Sequence, residues 1–419
     1  MGNGKGVGLL GSAALVLLLP SFGAAAVCSL AQTAADLRIA AASTGPQDVF
    51  ISDLGSSVVV SVDCNNDGDY LDSGAGDVNA QPFTGVETIT VQLGGKDTIV
   101  YSQDADFTGI TRELSVVLGP YANFITVTSS GHAMQAKSSL AVDLLGGPNL
   151  DTIAIDMSGA TLDDSALLVY GDLGSGSDNF TVKAPQATNS RVDVDVALGT
   201  GNNVASLVAD KPFSGSTFRT DLEGGDMDIN TDAVSSRLAA TFDNASRVVY
   251  NAYLRNGADT YDGAFDVSAL KVLNGSDARF RVDGGPGNDA LTVSDGGTAG
   301  AAQNDGVVEA FLRGGPGQDV VTLDWYGMTG TGTFRYRGHG GINADSVLSS
   351  FLTDAASQNN VDFAVQGGRG PDVVYSALFD ASGTASYDPA GSTWLDGGFE
   401  SDRCIAFGNG AIESLNCEQ

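Results

Sequence analysis

Apolar and polar residues alternate along many short runs of this chain. Leu114 to Leu118, Leu140 to Leu144, Val192 to Leu198 and Phe280 to Asp283 all follow the pattern, and they are rich in Val, Ile, Leu and Phe. A period of two with such residues predicts β-strands with one buried face. Each run leads into a glycine-rich turn, then Asp or Asn, then a second apolar-alternating run. A helical period is sustained only from Ala31 to Ala42.

The turns repeat. Their acidic or amide positions fall at Asp97, Asn123, Asp151, Asp178, Asn203, Asp228, Asp259, Asp289, Asp319, Asp345, Asp372 and Asp402. Successive positions are 25 to 31 residues apart. A fixed period with two or three short strands per unit predicts stacked coils. The expected fold is therefore all-β, a right-handed parallel β-helix or β-roll-like solenoid of about twelve coils. A coil rise of about 4.8 Å gives a rod roughly 60 Å long. A tandem of sandwiches is disfavoured, because units this short cannot each bury a core.

The two ends differ from the middle. Lys5, an apolar stretch from Leu9 to Leu19 and the small run Ala24-Ala25-Ala26 have the order of a secretory leader, with cleavage near Ala26. The stretch is too short and broken for a membrane span. Cys28 and Cys64 lie near one end, Cys404 and Cys417 near the other. In an exported chain this favours the local pairs Cys28–Cys64 and Cys404–Cys417. The expected organisation is residues 1–26 as leader, 27–80 as an N-terminal cap, 81–395 as solenoid and 396–419 as a C-terminal capping coil.

Charge narrows the partners. The net charge is −31, yet charged residues make up only 17% of the chain against 42% hydrophobic, so the acids belong to a folded protein. A polyanion of this kind repels nucleic acid and anionic lipid and attracts cations. The acids recur beside glycines. In Gly284-Gly285-Pro286-Gly287-Asn288-Asp289, glycines let carbonyl oxygens converge and Asp289 adds a carboxylate. Stacked turns of this type would surround the gap with the hard oxygen ligands that calcium takes. At the imperfect turns around Asn123, Asn203, Asp228 and Asp345, the same residues make good turns without any metal.

Three segments, Gly284 to Leu291, Gly314-Gly315-Pro316-Gly317-Gln318-Asp319-Val320-Val321 and Gly367-Gly368-Arg369-Gly370-Pro371-Asp372-Val373-Val374, fit GGxGxDxU. The chain thereby resembles hemolysin-type (RTX) calcium-binding proteins over the repeat region from about Pro82 onward. The lead Gly85 to Val91 and the close from Asp402 to Glu418 are similar as well. The resemblance implies that the carbonyls of Gly284, Gly285, Gly287, Gly314, Gly315, Gly317, Gly367, Gly368 and Gly370 hold calcium between coils. The carboxylates of Asp289, Asp319 and Asp372 would share the task, with Asp97 and Asp151 as weaker counterparts. That family repeats a nonapeptide on each half-turn, whereas here one turn recurs per 25 to 31 residues, which favours the wider β-helix. Independently, Asp63, Asn65, Asp67 and Asp69 alternate oxygen donors around Gly68, like the front half of an EF-hand loop. Gly74 stands where its closing acid belongs, Asp72 is the available substitute, and a plain polar turn explains the spacing equally.

Enzymatic alternatives have little to work with. There is no G-x-S-x-G, H-E-x-x-H or phosphate-loop motif, and His132 and His339 are the only histidines. The rival reading is a β-helix lyase or epimerase of an acidic polysaccharide. Its one candidate cluster, Arg335-Tyr336-Arg337-Gly338-His339, lies in the least regular coil and reads as a solvated surface. Thr88, Thr90, Thr126 and Thr128 hint at rows for ice or glycan binding. The favoured reading is a non-enzymatic, calcium-stiffened extracellular protein with a surface, matrix or adhesion role and a cell-surface or matrix glycan or protein as partner.

Overall fold

The computed structural model describes residues 28–41, 45–64, 77–225, 231–266, 269–295, 302–353, 358–380, 386–387, 394–408, 413–415 and 417. The leader 1–26 lies outside them. The chain winds into a β-solenoid of about eleven turns, close to the twelve expected, with no α-helix among the described residues. Three sheets of sixteen, fifteen and nine strands form its faces.

One coil shows why the sequence does this. Ser139–Leu145 lies in the first sheet with Leu140, Val142 and Leu144 buried. The chain turns at Gly146 and Gly147, enters the second sheet as Thr152–Asp156 with Ile153 and Ile155 inward, then crosses the short third sheet as Thr161–Asp163. Ala166–Asp172 begins the next coil in parallel register, Ser139 opposite Ala166. Period-two alternation thus places every second side chain in one interior. In the second half that interior carries an aromatic column. Phe213, Phe218, Tyr250, Phe280, Phe265, Trp325, Phe334 and Phe351 follow one another with ring centroids 4.4–5.9 Å apart.

The Ala31–Ala42 segment is not helical. Cys28–Thr33 and Asp36–Ala41 form an antiparallel hairpin, and Leu37, Ile39 and Ala41 are buried at every second position. Alternate burial against the stack outweighs a local helical period. Gln47–Asp53 and Ser57–Asp63 form a second hairpin, and Val78–Thr84 adds a further antiparallel strand. Asp36–Ala41 and Gln47–Asp53 are already parallel to Thr88–Gln92 and Asp97–Gln103, so coil pairing starts before residue 81. Their hairpin partners cover the open sheet edges, which otherwise invite association. At the other end Trp394–Phe399, Arg403–Gly408 and Glu413–Leu415 continue the parallel stack. Disulfides Cys28–Cys64 and Cys404–Cys417 close as expected, one near each end.

Candidate functional site

The glycine-rich turns line up on one corner, between the first and second sheets. There the residue that opens or directly precedes each coil's second-sheet strand turns its side chain inward. Its Oδ1 accepts a hydrogen bond from the backbone N–H of the equivalent residue one coil earlier. Asp97 donates to Asn123, Asn123 to Asp151, Asp151 to Asp178, and Asp178 to Asn203. Asn203 donates to Asp232, Asp232 to Asp259, Asp259 to Asp289, and Asp289 to Asp319. The run ends with Asp319 to Asp345, Asp345 to Asp372 and Asp372 to Asp402. All eleven bonds measure 2.7–3.2 Å, and every member is at most 4% exposed. The spacing along the chain is 25 to 30 residues, one coil.

The repeat after Asn203 differs from the sequence reading. Asp232, not Asp228, fills this position. Asp228 lies outside the described residues. The missed signal is that each ladder residue stands at the start of a strand, Asp97 opening Asp97–Gln103 and Asp232 directly preceding Ala233–Leu238.

What happens to the second carboxylate oxygen divides the ladder. At Asp151 and Asp232 it accepts the N–H of Gly147 or Gly225. At Asp178, Asp259, Asp289, Asp319, Asp345 and Asp372 the buried Oδ2 has no hydrogen-bond partner, and at Asp97 the same holds for Oδ1. Burial pushes the carboxyls of Asp97, Asp178, Asp319 and Asp372 up to about 6, despite the backbone N–H groups that pull the other way. Burial takes Asp259, Asp289 and Asp345 to about 7, with neighbouring ladder carboxylates adding repulsion.

The predicted glycines sit around these oxygens. A Cβ on Gly284 would lie 2.4 Å from Asp289 Oδ2 and 2.8 Å from the carbonyl oxygen of Gly314 in the next coil. The same pair of approaches recurs at Gly314 with Asp319 and Gly340, and at Gly367 with Asp372 and Gly397. The first glycine of each pair is thus required because a carboxylate occupies the place of its side chain. Gly315 has φ +123°, and a Cβ there would lie 2.2 Å from the carbonyl oxygen of Gly285. Gly285, Gly287, Gly317 and Gly370 donate their N–H groups to the next coil, and Gly368 pairs with Gly341 and Gly398. The glycines therefore stack the coils as well as line the corner.

Every donor at this corner is a hard oxygen, the kind calcium takes. At Asp289, Asp319, Asp345 and Asp372 one unpartnered carboxylate oxygen lies beside one glycine carbonyl of the next coil, so an ion there needs ligands from successive coils. No group of three or more His, Cys, Asp or Glu residues placed to hold one metal ion occurs among the described residues. Of the oxygen donors in the EF-hand-like loop only Asp63 is described, buried at the end of Ser57–Asp63. Asn65, Asp67, Asp69 and the substitute Asp72 lie outside the described residues.

A second corner carries a ladder that the sequence did not reveal. The N–H of Ser165 donates to Ser190 Oγ, Ser190 to Ser216, Ser216 to Ser246, and Ser246 to Ser276, at 3.0–3.2 Å. The Arg335–His339 cluster is regular rather than irregular. It lies within the ten-residue strand Thr333–Ile342, where Tyr336 is buried and its neighbours alternate outward. Arg337 Nη2 reaches both carboxylate oxygens of Asp362 at 2.6 Å. The threonine rows do not share a face, since Thr88 and Thr90 belong to the first sheet and Thr126 and Thr128 to the second. No family model, curated protein or solved structure matches this chain.

Proposed function

We propose that this chain is a secreted, non-enzymatic β-solenoid scaffold of the hemolysin-type calcium-binding kind, stiffened by calcium and serving a surface or adhesion role. The observation that carries the reading is the row of partnerless carboxylate oxygens at Asp178, Asp259, Asp289, Asp319, Asp345 and Asp372. Buried carboxylates without a partner are costly, and a cation or a proton must offset them. In a chain of net charge −31, calcium is the cation whose ligand preference fits. Asp289, Asp319 and Asp372 would hold it together with the carbonyls of Gly314, Gly340 and Gly397. The four cysteines, all disulfide-bonded, favour an oxidising extracellular compartment.

A cation bound by the native state alone stabilises it through linkage, by about 2.7 kcal/mol at a hundredfold excess over Kd for one site. Thermal melts near pH 7.5 in calcium should therefore run several degrees above melts in chelator, with magnesium a poor substitute. Superimposable melts would remove calcium from the reading and leave protons as the counter-charge of the ladder.

A further inference from the structure

The outer face of the first sheet changes character along its length. In its earlier coils acids stand at outward positions among small and polar residues, as at Glu113, Asp143, Asp195 and Asp221. In the later coils one outward row reads Arg281, Phe311, Arg337, Ala364, Trp394, each opposite the next in register. The row beside it reads Asp283, Arg313, His339, Gln366, Asp396. Three strand spacings separate Phe311 from Trp394, about 14 Å. Between them Ala364 is too short to fill the surface, leaving a depression of about 410 Å³ with aromatic walls at both ends. That is the size of a small-ligand site.

The two arginines that line it, Arg313 and Arg337, are planar and already paired. Besides the Arg337–Asp362 pair, Arg313 lies 3.4 Å from Asp283, and Arg281 lies 3.1 Å from Glu309. Gln366 adds a planar amide, and His339 Nδ1 is buried without a hydrogen-bond partner. Burial and the adjacent Arg313 hold the imidazole below its ordinary value, so it is neutral near pH 7 and both donates and accepts.

We propose that this groove binds a neutral glycan, its sugar faces packed on Phe311 and Trp394 and its hydroxyls bonded to Arg337, Asp362, Gln366 and His339. A sugar hydroxyl donates and accepts at once, so it satisfies a guanidinium and a carboxylate without separating the pair. An acidic polysaccharide is disfavoured on two counts. The arginines are already neutralised by partners, and the molecule as a whole repels polyanions. The aromatic rings supply apolar area at low entropic cost. The proposal gives the adhesion reading a ligand class and does not depend on calcium.

The test is calorimetric titration of the full chain with neutral hexasaccharides (β-1,4-glucan, β-1,3-glucan, β-1,4-mannan, β-1,4-xylan and α-1,4-glucan) beside oligogalacturonate. Parallel runs use calcium and chelator. At least one neutral sugar should bind, with equal affinity in both buffers. Phe311→Ala and Trp394→Ala should each weaken it by about tenfold or more. Trp325, fully buried, reports through near-ultraviolet dichroism that the variants remain folded. Of the two tryptophans, only Trp394 is partly exposed, so saturable wild-type fluorescence change locates the contact. The proposal is overturned if no neutral sugar binds, if both variants bind like the wild type, or if oligogalacturonate binds more tightly. Binding that holds in chelator while the calcium melts coincide would leave the groove intact and remove only the calcium reading.

Discussion

Each aspartate of the corner ladder combines a well-used oxygen with an unused one, and the unused one makes stability depend on pH. Asp259, Asp289 and Asp345 are raised by burial to about 7, and Asp178, Asp319 and Asp372 to about 6, from an ordinary 3.8. Between 3.8 and these values the folded chain binds more protons than the unfolded one, so stability increases as pH falls. In chelator, the melting temperature should climb from pH 8 to about pH 5 and level off toward pH 4, as followed by differential scanning calorimetry. Asp289→Asn serves as the control. It keeps the acceptor for the Asp259 N–H but carries no charge, as Asn123 and Asn203 already do in the ladder. At pH 8 in chelator it should melt at or above the wild type, by up to about 1 kcal/mol, with a shallower pH dependence. In calcium it should melt below the wild type if that carboxylate holds the ion. A melting temperature that falls steadily on acidification would mean that the ladder is ionised and otherwise compensated. Most of these residues were legible in the sequence because a ladder position needs an acceptor and a turn together. Asp232 was not, because glycine spacing drew attention to Asp228 and the true marker is the start of the following strand.

At the scale of elements, the first coil is held by a buried polar cluster that no periodicity discloses. Arg112 Nε lies 2.5 Å from Asp53 Oδ2, its Nη2 bonds Gly55 O at 2.9 Å, and Tyr101 Oη donates to Asp53 Oδ2 at 2.7 Å. Arg112 and Asp53 are at most 1% exposed, so the cluster pins the hairpin of Gln47–Asp53 and Ser57–Asp63 to Asp97–Gln103 and Thr111–Val117. Removing one partner strands a buried charge. Arg112→Met should cost roughly 3–5 kcal/mol, and Arg112→Met with Asp53→Leu should recover much of it. Hydrogen exchange should show the single variant losing protection in the first coils while Val307–Pro316 and its neighbours keep theirs. Equal loss throughout would mean that the cluster serves the whole stack. The long strands were readable from Val, Ile and Leu at every second place. The third sheet was not, since strands as short as Phe213–Ser214 are too brief to show a period. The Arg335–His339 run shows the opposite failure, for Arg-Tyr-Arg-Gly-His already alternates and its charges hid the strand.

For the whole molecule, a solenoid has only nearest-neighbour coils to hold it, so its ends set how it comes apart. The two ends are closed differently. At the N-terminal end antiparallel hairpins cover the first and second sheets, and Cys28–Cys64 ties the two covers across 36 residues. At the C-terminal end parallel strands simply continue, and Cys404–Cys417 closes only 13 residues. On the chain-entropy account these bridges contribute about 4 and about 3 kcal/mol respectively. The consequence of losing them differs more than those figures do. Replacing Cys28 and Cys64 with Ser should loosen covers whose release bares the edges of two wide sheets, and bare edges pair with other chains. Replacing Cys404 and Cys417 with Ser should fray the last coils, whose strand Glu413–Leu415 is only three residues long, and leave the hairpin covers in place. Light scattering during slow heating should therefore show the N-terminal variant associating well below its loss of circular dichroism. The C-terminal variant should lose exchange protection from Arg403–Gly408 inward while staying monodisperse. Association of the C-terminal variant alone would reverse the assignment and make the last coil the edge that the molecule has to guard.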